Sequence, residues 1–141
     1  MPERVLRAMA KPTIDHRGPE FQALTREVLK AMEWVVQTRQ PVVLFPASGT
    51  GAWEAALVNT LSAGDRVLMV ETGHFATLWK DIAVKHGLEP EVIAGDWRHG
   101  VDATKVETHL ADDTAHAIKA VCVVHNETST GVTSDIAAVR Q

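Results

Sequence analysis

The chain has 141 residues, 45% of them hydrophobic and 23% charged, with a formal net charge of −4. This is enough chain to bury a core in the proportions of an ordinary globular domain. The acidic balance and scattered Lys and Arg residues exclude the basic footprint of a nucleic-acid binder or of a protein held on an anionic membrane. No apolar stretch approaches the ~20 residues of a membrane span, and the opening MPERVLRAMAKP lacks a secretory apolar core. The single cysteine, Cys122, excludes an intrachain disulfide. It sits in the apolar run Ile118 to Val124 and reads as a buried thiol of a reducing compartment, so the expected location is the cytoplasm.

In chain order, Glu3 to Met9 can form a short helix stopped by Pro12, and Gly18-Pro19 marks a loop. From Pro19, the spacing of Phe21, Leu24, Val28, Met32, Val35 and Val36 predicts a helix with one apolar face. Val42 to Phe45 is a continuous apolar run, expected as a strand buried on both faces. A small-residue turn, Ala47 to Gly51, leads into a helical pattern. Asp65 to Val70 reads as a strand and His74 to His86 as a helix. Glu91 to Ala94 reads as a weak strand and Asp102 to Leu110 as a helix. Ile118 to His125 reads as a strong strand, and Ser134 to Gln141 as the start of a helix. Alternating strands and helices imply an α/β domain, a mainly parallel sheet with helices on both faces. The expected division is a helical segment and loop over residues 1–40 and a partial large domain over 41–141.

Ligands of such sheets bind beyond the carboxyl ends of the strands, which singles out three loops. Ser48-Gly49-Thr50-Gly51 offers glycines, two hydroxyls and the N–H groups of a helix start, a combination suited to a phosphate. An ordinary capped strand–helix turn is the competing account. The loop is not a nucleotide P-loop, because no lysine follows Gly51, and it lacks the third glycine of a dinucleotide fingerprint. In Thr72-Gly73-His74-Phe75 the aromatic can cover a planar ligand, or it can be core or a staple for the next helix. His125-Asn126-Glu127-Thr128-Ser129-Thr130-Gly131 empties an apolar strand into polar side chains, as a site or as a solvated loop. The seven histidines have no ligand-pair spacing, so no metal is expected. No Gly-x-Ser-x-Gly elbow points to a serine hydrolase.

Taken together and in order, Ser48 to Asn59, Gly64-Asp65-Arg66-Val67-Leu68, Gly73 to Trp79, Gly95 to Val101 and Val123 to Val132 resemble class V pyridoxal-phosphate aminotransferases. The serine–glyoxylate aminotransferases, relatives of alanine–glyoxylate aminotransferase, are the nearest subgroup, and Asp15 to Phe21 fits it too. The resemblance implies the N-terminal part of a fold-type-I large domain that binds pyridoxal 5'-phosphate. It places Ser48, Gly49 and Thr50 at the cofactor phosphate, Phe75 on the pyridine ring and Thr128 near the phenolic oxygen. His16, Arg17 and Gly18 fall in a substrate-proximal loop of a homodimer with its site at the interface. The implied reaction transfers an amino group from L-serine, or L-alanine, to glyoxylate, giving glycine. The family's Schiff-base lysine, its pyridinium-pairing aspartate and its substrate-binding arginine have no counterpart in the chain. No catalytic residue is therefore assigned, and the 141 residues alone are expected to be an inactive fragment. Another class V enzyme, or a phosphate-ligand-binding remnant, is the alternative.

Overall fold

The computed structural model describes residues 1–141. It divides into two compact units, Met1–Pro46 and Ala47–Gln141.

The first unit carries α1 (Glu3–Met9) and α2 (Pro19–Val35). Proline at the first turn of α2, where an N–H would be unpaired anyway, starts the helix, and Glu20 faces the positive end of its dipole. The apolar periodicity of α2 makes a helix, as expected, yet none of its residues is buried. Val42 to Phe45 departs from expectation. The segment is assigned to no strand, and Val43, Leu44 and Phe45 are 76%, 54% and 52% exposed. A strand needs a ladder partner, and every strand that forms in the chain is paired elsewhere.

The second unit is built on α3 (Gly49–Thr60), β1 (Arg66–Val70), α4 (His74–Lys85), β2 (Glu89–Ile93), α5 (Ala103–Asp112), β3 (Ile118–Cys122), β4 (Asn126–Glu127), β5 (Val132–Thr133) and α6 (Ile136–Arg140). The main sheet is parallel with order β2-β1-β3, and β4 and β5 form a separate antiparallel pair. Central β1 reads Arg-Val-Leu-Met-Val and is buried along all four apolar positions, because helices cover both faces. Its alternation sorts the core into two layers. Val67 and Met69 pack with Leu57 of α3, Ala83 of α4 and Cys122 of β3. Leu68 and Val70 pack with Ile93 of β2 and Val106 of α5, backed by Val139 of α6. Right-handed crossovers explain the layering: the chain steps from β1 one way to β2 through α4, then back past β1 to β3 through α5, so the two helices take opposite faces. Burial pushes the Cys122 thiol up to about 11, as suits a small core residue.

Candidate functional site

β1 and β3 are neighbours in the sheet, so the loops leaving them meet at its carboxyl edge, where α/β proteins take their ligands. Here the chain builds a joint. The start of α4 has glycine, Gly73, at its N-cap and no cap of its own. Its first three N–H groups are met instead by side chains arriving from more than fifty residues away. His74 N–H donates to Ser129 Oγ at 3.0 Å. Phe75 N–H donates to Glu127 Oε1 at 3.3 Å and Ala76 N–H to Glu127 Oε2 at 3.0 Å. Ser129 donates to the same carboxylate through its N–H at 3.1 Å and its hydroxyl at 2.6 Å. Glu127 is 1% exposed. Burial raises its pKa, but the Ser129 hydroxyl and N–H and the N–H groups of Ala76 and Phe75 outweigh it, holding the carboxyl below its ordinary 4.5. A Cβ at position 73 would stand 2.5 Å from Glu127 Cγ and 2.7 Å from Ser129 Oγ, so the joint closes only over glycine.

The start of α3 is different. Ser48 occupies its N-cap in extended backbone, but no side chain caps it. Gly51 and Ala52 N–H groups turn back to Ser48 O, leaving those of Gly49 and Thr50 without an acceptor from the chain. A Cβ on Gly49 would meet nothing within 4 Å, whereas one on Gly51 would press on Ala47 Cβ at 2.7 Å. Unmatched donors at the positive end of a twelve-residue helix favour an anion.

Aromatics connect the two helix starts. Trp53 of α3 stacks on Trp79 of α4 with centroids 4.9 Å apart and an interplanar angle of 16°. It also meets the half-buried Phe75 edge-on at 6.4 Å. Phe75 thus belongs to a side-chain cluster and lies in the first turn of α4 as well. Thr128 is exposed in the loop between β4 and β5. Its neighbour Thr130 is the hydroxyl that reaches the first loop, donating to Thr72 O at 3.4 Å. His16 and Arg17, both exposed, and Gly18 lie in the first unit. Their turn is held by Asp15, whose side chain accepts from Arg17 N–H and whose carbonyl accepts from Gly18 N–H, each at 3.0 Å. The Gly95 to Val101 run forms a structured loop around Asp96, which accepts from the N–H groups of Arg98 and His99 and contacts His99 Nδ1 at 2.8 Å. The Arg98 N–H first, then the His99 side chain, bring Asp96 down to about 2. No group of three or more His, Cys, Asp or Glu side chains is placed to hold a metal ion.

Sequence reasoning missed Glu127 and Ser129, which it placed in a polar loop without a role. A signal was available: α4 opens on Thr-Gly-His with no Ser, Asp or Asn at its N-cap, which leaves its first N–H groups open to acceptors from elsewhere in the chain.

The family model for class-V aminotransferases matches residues 4–141. The chain belongs to that family. Across 142 aligned positions, this class-V chain is 48% identical to a serine–glyoxylate aminotransferase of Methylorubrum extorquens, all of this chain aligning with 35% of that protein. It is 45% identical to an L-aspartate–glyoxylate aminotransferase of Paracoccus denitrificans, all of this chain aligning with 36%. The crystal structure of a subgroup IV aspartate aminotransferase from Thermus thermophilus superposes with a TM-score of 0.85 at 26% identity, over 99% of this chain and 38% of that one. The class-V chain therefore spans about a third of the length of the curated relatives it matches, and its α/β fold with a parallel sheet is that of the aminotransferase structures.

Proposed function

We propose that this class-V chain is the cofactor-phosphate-binding part of a pyridoxal-phosphate aminotransferase that moves the amino group of L-serine to glyoxylate, giving hydroxypyruvate and glycine. One observation carries the reading: α3 begins with N–H groups at Gly49 and Thr50 that no group of the chain accepts, flanked by the Ser48 and Thr50 hydroxyls. These residues fit a phosphate monoester, which would take the N–H donors and sit at the positive end of the helix. When bound, the cofactor supplies the electron sink that amino transfer requires.

The chain's own residues then bind and orient. Ser48, Gly49 and Thr50 hold the phosphate. Phe75, braced by Trp53 at the start of α4, stacks on the pyridine ring. Thr128 offers its hydroxyl to the phenolic oxygen. On the grounds of family resemblance, His16, Arg17 and Gly18 serve the substrate side of a homodimer with its site at the interface. A cytoplasmic setting is supported by the one free, buried thiol. No helix is long and apolar enough to cross a membrane.

A second donor is favoured by a specific finding. The relative that uses L-aspartate is nearly as similar as the one that uses L-serine. The deciding experiment purifies the protein from its complete coding sequence and supplies glyoxylate with L-serine, L-aspartate or L-alanine. Hydroxypyruvate, oxaloacetate or pyruvate is measured together with glycine. Fastest turnover with serine is expected. A preference for aspartate moves the assignment to the second reading, and no glycine with any donor overturns both.

A further inference from the structure

The two helix starts that meet around Trp53 and Phe75 are satisfied by different means, and the difference gives Glu127 a task. The carboxylate accepts two N–H bonds from the first turn of α4, one of them from Phe75 itself, and one N–H and one O–H bond from Ser129 in the loop that carries Thr128. Ser129 in turn accepts from His74 N–H. Phe75 and Thr128, 53 positions apart in the sequence, are thereby tied through one buried side chain. The tie has little slack, because Gly73 is already within 2.5 Å of the Glu127 stem if given a Cβ. It also makes α4 electrostatically complete: a negative charge already sits at its N-terminus, so an external anion gains little there and is left the start of α3.

We propose that Glu127 is the positioning residue of the cofactor site, a built-in anion that caps α4 and sets the Phe75 ring against the cofactor plane. This rests on the pyridoxal-phosphate reading above. In this role Glu127 acts on the ring through the backbone N–H of Phe75. Gln at position 127 would retain the volume but present an NH₂ group to an N–H donor, so at least one cap bond is lost.

The test is a double-mutant cycle on cofactor affinity, in protein made from the complete coding sequence. Dissociation constants for pyridoxal 5'-phosphate are measured by fluorescence titration, and the induced circular dichroism of the bound cofactor is recorded as a report of ring orientation. Phe75→Ala is expected to weaken binding about fivefold, the scale of a lost aromatic stack. Glu127→Gln is expected to weaken it by a similar factor and to reduce the induced dichroism per bound cofactor. The double variant should bind no worse than Phe75→Ala alone, because both changes remove one ring placement. Multiplying losses, or a Glu127→Gln protein that binds like wild type, overturns the positioning role. Should Glu127→Gln fail to fold, Ser129→Ala, which removes only the hydroxyl between Glu127 and His74, takes its place in the cycle under the same criteria. Absence of saturable binding by the wild-type protein is a separate outcome. It sinks the cofactor reading itself, and the role with it.

Discussion

Helices α3 and α4 both start from small, glycine-containing segments, pack side by side and share a pair of stacked tryptophans. At α4 the first N–H groups are consumed by a buried carboxylate and a serine from a distant loop, and the helix end becomes a structural joint. At α3 the equivalent groups of Gly49 and Thr50 have no acceptor from the chain, and the same chemistry is left available to a ligand. Two helix termini with one dipole physics thus differ: one is spent on architecture, and the other keeps the donors that the proposed phosphate reading uses. What separates them is whether the fold brings its own anion to the helix end.

The harshest way to break this contrast is Glu127→Ala. The N–H groups of Phe75, Ala76 and Ser129 would lose their common acceptor, at a cost of about 2–3 kcal/mol. Ser48→Ala, which removes no cap bond, should stay within about 0.5 kcal/mol. Denaturant unfolding of the two variants beside wild type checks the pair, and equal losses would contradict the division. Next comes Gly73→Ala. Its Cβ would press on Glu127 Cγ at 2.5 Å, so a loss of about 1–3 kcal/mol is expected. The melting temperature of the variant reads it directly.

A smaller effect should appear in acid. Glu127 has a folded pKa below its ordinary 4.5, so its contribution is complete above that value and is lost as pH falls through the lowered folded one. Melting temperatures measured from pH 7 to pH 3 should therefore fall less steeply for Glu127→Gln than for wild type. An unchanged acid limb would show that the carboxylate carries no pH-linked stability. The smallest change expected is Gly49→Ala. No atom lies within 4 Å of the added Cβ, so stability should shift by no more than about 0.5 kcal/mol in either direction. A large loss by thermal melting would mean that the start of α3 is more constrained than its contacts show.

Most elements of the second unit were legible because their signals are local. Apolar runs at β1 and β3, helical spacing through α4 and α5, and the Asp102 N-cap that accepts from Thr104 N–H lie where periodicity and capping rules put them. Val42 to Phe45 failed for the opposite reason. Its composition is that of a buried strand, but a strand exists only with a partner, and pairing is not a local property. The β4–β5 pair was missed because two-residue strands are too short to show alternation.

The candidate site divides in the same way. The Ser48–Thr50 turn, Phe75 and the polar loop after β3 were picked out from residue types at expected strand ends, although no strand forms before Ser48, since glycine, hydroxyl and aromatic side chains declare their chemistry wherever they are. Membership of the class-V family agrees with the ordered motifs that suggested it. The tertiary structure alone decided that Glu127 is buried rather than solvated, that it caps a helix begun 53 residues earlier, and that the α3 start is left with free donors. A sequence shows what each group can offer. Which donors meet which acceptors depends on distances that exist only once the strands have set α4 and the β3 loop side by side.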